Sequence, residues 1–102
     1  MRTIINGRKY DTETATEIAC DKAYPISDGR HYDETLYRKR NDEFFLYGHG
    51  GPLSRYSRSV SGSDMWCGGS KVIPLSDEEA RSWVESICSY NTYCELFGEP
   101  EE

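Results

Sequence analysis

Phe44, Phe45, Leu46 and Tyr47 stand in a row, and the side chains of a strand alternate between its two faces. Phe44 and Leu46 then share one face and Phe45 and Tyr47 the other. A strand that is apolar on both sides belongs in the middle of a sheet, with one side against a helix. The run at 43–47 follows a second extended segment at 35–39 across the short turn Arg40-Asn41-Asp42. In that partner Leu36, Arg38 and Arg40 fall on one side, Tyr37 and Lys39 on the other. Gly48-His49-Gly50-Gly51-Pro52 is expected to end the central strand.

Other segments supply the rest of a sheet. Asn6-Gly7 between Thr3-Ile4-Ile5 and Arg8-Lys9-Tyr10 is a hairpin signal, because both residues accept the positive φ that a type I′ turn requires. A third extended segment is expected at 16–20, a loop at 23–33, and a long irregular connection at 53–70 with a short helical turn near Ser54. A last strand is expected at 71–75, where Pro74 lacks an amide donor and so favours an edge or a strand end.

Ser76-Asp77-Glu78-Glu79 has the form of a capping box, and its three acids complement the helix dipole. Ala80, Trp83, Val84, Ile87 and Cys88 recur at helical spacing as one apolar stripe. Burial of Trp83, Val84 and Ile87 would contribute about 5–9 kcal/mol gross. A second short helix is expected at 91–97, with Gly98 as its stop. The sum is an α+β fold: an antiparallel β-meander with an amphipathic C-terminal helix and a second short helix packed on one face. The 102 residues suffice for one small domain, expected over 1–98, followed by an acidic tail at 99–102.

The formal net charge of −6 is unevenly placed. Residues 76–102 hold eight acids and the single base Arg81, which is −7, whereas residues 1–75 come to +1. No apolar run reaches 18 residues and the N-terminal segment lacks the apolar stretch of a signal peptide, so a soluble cytoplasmic protein without a membrane partner is expected. In that compartment Cys20, Cys67, Cys88 and Cys94 are expected as thiols, with Cys88 a small hydrophobe of the core. No C-x-x-C occurs, and His31 and His49 stand apart, so neither a metal site nor a cofactor is expected.

Three functional readings compete. The glycine run around His49 lacks the lysine of a phosphate loop and a nucleophile motif, and reads as a flexible strand exit. Arg38, Lys39 and Arg40, with Arg55 and Arg58, interleaved with Tyr37, Tyr47 and Tyr56, would suit single-stranded nucleic acid, although Lys39 falls on the face opposite Arg38 and Arg40. The acidic chain and the strand period, which divides the strip, argue against that use. Asp77, Glu78 and Glu85 point away from the apolar stripe. Arg81 lies within reach of all three and can pair with only part of their charge. With Glu95 and the tail they make an acidic docking surface.

Three blocks of the chain, residues 4–15, 34–56 and 68–85, resemble a family of small proteins of about 100 residues carried by bacteriophages and mobile elements. The resemblance covers roughly three quarters of the sequence and carries over no catalytic motif. Small acidic proteins of such elements include inhibitors of host defence, anti-CRISPR proteins and other DNA mimics among them. The resemblance therefore implies a non-enzymatic inhibitor, acting as a monomer in the host bacterial cell. It would block the basic nucleic-acid-binding groove of a host effector protein, a CRISPR effector subunit being the expected partner. Asp77, Glu78, Glu85 and Glu95 would supply the potential, with Tyr90 and Tyr93 as packing anchors.

Overall fold

In a computed structural model that describes residues 1–60, 62 and 65–102, ten elements follow one another. They are β1 (Arg2–Ile5), β2 (Arg8–Asp11), β3 (Thr16–Ala23), β4 (Tyr32–Arg38), β5 (Phe44–Gly50), β6 (Arg58–Ser59), β7 (Trp66–Cys67), β8 (Gly69–Leu75), α1 (Asp77–Ile87) and α2 (Tyr90–Phe97). The main sheet is an antiparallel meander of order β3-β4-β5-β8, with the β6-β7 pair inserted before its last strand. The fold is α+β, with both helices on one face of the sheet.

Local chemistry sets the two ends of the chain as expected. Asn6 and Gly7 take φ of 53° and 76°, the pair of positive angles that lets β1 turn directly into β2. Ser76 caps α1 through a full capping box, its hydroxyl accepting from the Glu79 amide while the Glu79 carboxylate accepts from the Ser76 amide. Pro74 lies on β8, an edge strand, the position in which a residue without an amide donor is tolerated.

The central strand is covered on both faces. Phe44 and Leu46 join Leu36, Ala80 and Val84 in the core beneath the helices, ringed by Ile18, Ile73, Trp83, Leu96 and Phe97. On the opposite face Phe45 stacks on Tyr37 at 5.2 Å and receives the edge of Tyr10 at 5.4 Å. The N-terminal hairpin is thus the second cover, so three layers form.

Several boundaries differ from the sequence reading. β3 runs on to Ala23 and β4 begins at Tyr32, which shortens the expected loop at 23–33. No helical turn forms at Ser54; two turns close 51–54 and 54–57 instead. α2 begins at Tyr90, one residue earlier, with Ser89 as its cap. The largest correction concerns the glycines. β5 continues through Gly50, with Gly48 paired to Glu34 and Lys71, and Gly50 paired to Tyr32 and Gly69. A Cβ on Gly48 would stand 2.6 Å from the Tyr56 hydroxyl, and one on Gly50 would stand 2.7 Å from the His31 carbonyl oxygen. These glycines make room for close neighbours inside the sheet rather than freeing a flexible exit. Ile87, expected in the stripe, is exposed at the last residue of α1 and does not join the core cluster.

Candidate interaction surface

The acidic surface is built on α1 and α2. Glu79 is committed to the capping box, and the hydrogen bonds from the Ser76 amide and hydroxyl hold its carboxyl below the usual range. Asp77, Glu78, Glu85 and Glu95 are exposed, and among the described residues none of them has a cation within 4.0 Å. The reason lies in Arg81. Its guanidinium sits over the Phe97 ring at 4.9 Å, where α2 offers an aromatic face, and not against the carboxylates along its own helix. The expected partial neutralisation by Arg81 therefore does not form as an ion pair. Tyr90 is exposed at the start of α2, whereas Tyr93 is half-buried with its ring 5.2 Å from Phe97.

Charge density on α1 approaches that of a nucleic-acid strand. Eleven residues at 1.5 Å each make a helix of about 16 Å. Its acids Asp77, Glu78, Glu79 and Glu85 give one charge per ~4 Å, or per ~5–6 Å net of Arg81, against ~3.4 Å for a strand of B-DNA.

The arginine strip is not brought together. Arg38 pairs with Asp42 at 2.9 Å and lies over Phe44, and Arg40 is exposed in the turn beside it. Arg58 lies at the other end of β5, its side chain packed over Gly69, the partner of Gly50. Six residues of strand, about 20 Å, separate the two ends. Arg55 faces the helix side and approaches Glu34 at 3.7 Å.

That carboxylate is the feature sequence reasoning missed. Glu34 is buried on β4, accepting from the Tyr56 hydroxyl at 2.5 Å and from the Trp83 indole at 2.9 Å. It ties β4, the 51–57 turns and α1 together. Its place on the face of Leu36 was readable from the strand period, but its partners lie 22 and 49 residues away. Open clefts on either side of Arg55 are walled by Tyr24, Arg30, Tyr32 and Leu53, and by Glu78, Ser82 and Ser86.

The network also sets a pH response. Burial first, then the bond to Glu34, pushes the Tyr56 phenol far up; the bond to Asp21 first, then burial, pushes Tyr32 up to about 12. Burial likewise raises Tyr37. Unfolded phenols lose their protons near pH ~10, so above that point the unfolded state binds fewer protons than the folded one and stability falls with rising pH. Below that pH the contribution is complete; it is lost as pH rises through the folded values. The urea midpoint is expected to drop between pH 8 and 11, and to drop less in Tyr56→Phe. An unchanged midpoint across that range would contradict these environments.

The register sets Asp33, His49 and Ser70 side by side across β4, β5 and β8. Asp33 approaches Lys22 at 3.8 Å, and no hydrogen bond among the described residues joins the three side chains into a proton relay. His31 instead anchors a loop, its Nδ1 lying 2.7 Å from the Asp28 carbonyl oxygen. All four cysteines are free thiols, with Cys88 packed against the core. Among the described residues no group of three or more His, Cys, Asp or Glu side chains is placed to hold a metal, and no helix is long and apolar enough to cross a membrane.

Compared with models of protein families, with curated proteins and with solved structures, the chain matches none.

Proposed function

We propose that this protein is a non-enzymatic inhibitor that docks its helical acidic surface into a basic nucleic-acid-binding groove of a host effector protein. A CRISPR effector subunit is the partner that the sequence resemblance suggests. The observation that carries the reading is the placement of Arg81 over Phe97. It leaves Asp77, Glu78, Glu85 and Glu95 exposed and without an ion pair among the described residues. A groove that neutralises phosphates attracts a fixed array of carboxylates by the same electrostatics. The direct binding of nucleic acid through arginines is disfavoured, since Arg38 and Arg58 stand at opposite ends of the sheet and Arg38 and Arg55 each face a carboxylate.

The test is DNA binding by purified CRISPR effector complexes in the presence of this protein. Inhibition is expected to be competitive with DNA and to weaken steeply with salt. The combined variant Asp77→Asn, Glu78→Gln, Glu85→Gln and Glu95→Gln is expected to inhibit at least about tenfold less well, a loss of ~1.4 kcal/mol. Equal inhibition by that variant, with its fold confirmed by circular dichroism, would overturn the acidic mechanism.

A further inference from the structure

Only Cys88 and Ser89 separate α1 from α2. Cys88 and Ser89 are both extended, with ψ of 171° and 162°, so the chain leaves one helix and enters the next at a sharp elbow. In the elbow lies a groove of about 320 Å³ walled by Glu85, Cys88, Ser89, Tyr90, Tyr93 and Pro100. Such a volume stands at the lower end of the range for binding pockets, suited to one side chain rather than to a large ligand.

The walls have a definite chemistry. Tyr90 and Tyr93 are three residues apart on α2 and so share a side of it. Tyr93 is fixed by its packing on Phe97 and the core, while Tyr90 is 63% exposed. Glu85 is the one charged wall, and among the described residues it has no ion partner. Arg81, one turn before it, is held over Phe97. A carboxylate beside two aromatic rings and a serine hydroxyl matches a planar guanidinium, whose N–H fork bonds the carboxylate while its flat face lies on a ring. The same fold already places arginine over aromatic rings, Arg81 on Phe97 at 4.9 Å beside the elbow and, elsewhere, Arg30 on Tyr24 at 4.3 Å.

We propose that the elbow groove is a socket for one arginine side chain of the partner protein. The proposal rests on the docking reading above and names the side chain that would seat the acidic surface in register. A compact ammonium gains less in such a socket, because it lacks both the fork and the stacking plane.

The experiment is fluorescence anisotropy with labelled hexa-arginine and hexa-lysine peptides at matched salt. The arginine peptide is expected to bind at least about fivefold more tightly than the lysine peptide. Glu85→Gln is expected to weaken arginine-peptide binding about tenfold, and several-fold more than Glu78→Gln, which removes the same charge outside the groove. Tyr90→Leu keeps an apolar wall and is expected to erase the preference for arginine over lysine. All three positions are exposed, so folded variants are expected, as circular dichroism would verify. Equal binding of the two peptides, or equal losses for Glu85→Gln and Glu78→Gln, would overturn the socket while leaving diffuse acidic docking intact. Conversely, arginine selectivity lost in Glu85→Gln together with no effect on effector DNA binding would support the socket and overturn the inhibitor reading.

Discussion

Replacing Glu34 with alanine is expected to destabilise the fold by about 2–6 kcal/mol, the cost of leaving two hydrogen-bond donors without their acceptor. The carboxylate is 4% exposed and satisfies two donors, the Tyr56 hydroxyl and the Trp83 indole, with Arg55 3.7 Å away. Truncation would leave the buried Tyr56 hydroxyl and the half-buried Trp83 indole without their acceptor, at up to roughly 1–3 kcal/mol each. Domains of this size are stable by only about 5–15 kcal/mol, so the urea midpoint is expected to shift by a large fraction of its value. Glu34→Gln keeps one acceptor oxygen and the side-chain volume, and a smaller loss is expected. A wild-type midpoint for Glu34→Ala would show that water replaces the carboxylate without cost, contrary to the burial of Glu34 and Tyr56.

Gly48→Ala is expected to be strongly destabilising. Its Cβ would lie 2.6 Å from the Tyr56 hydroxyl, and that ring is 1% exposed and held by Glu34. Relief requires moving the ring, which gives up the bond to Glu34. Overpacking of this kind costs about 1–3 kcal/mol, and loss of the bond adds about 1 kcal/mol or more. The clash can be tested by a double-mutant cycle. In a Tyr56→Leu background the shorter side chain leaves space, and the cost of Gly48→Ala is expected to shrink by about 0.5–3 kcal/mol. An undiminished cost would place the conflict elsewhere in the ladder.

The Tyr56 ring explains why the sequence misleads at the glycine run. Glycine weakens an isolated strand through its backbone freedom, so Gly48-His49-Gly50-Gly51 reads as an exit. In the fold, β4 and β8 pair with both sides of that backbone, and the missing side chains are what admit Tyr56, Ser54 and His31. Tyr56 itself had no periodic neighbours from which burial could be read. Arg81 illustrates the same limit on the acidic face. Helical spacing offers it Asp77, Glu78 and Glu85, whereas the return of α2 offers the Phe97 ring. That choice leaves the carboxylates unpaired, and spacing along one helix contains no information about it.

What the sequence determined by itself is what neighbouring residues settle among themselves. The type I′ turn at Asn6-Gly7 follows from two permissive backbones, and the start of α1 follows from Ser76 and Glu79 within one helical turn. The two-faced strand at Phe44 to Tyr47 follows from alternation alone, as does the concentration of negative charge after residue 75. Tertiary structure decided what covers each face: the helices over Phe44 and Leu46, the N-terminal hairpin over Phe45. It also decided that Glu34 is buried, that Arg81 leaves its carboxylates, and that an aromatic groove opens at the elbow beside Glu85. The division has one physical cause. Turns and caps are closed by hydrogen bonds over two to four residues, while a buried charge or an aromatic neighbour is supplied from segments tens of residues away, and only packing brings them together.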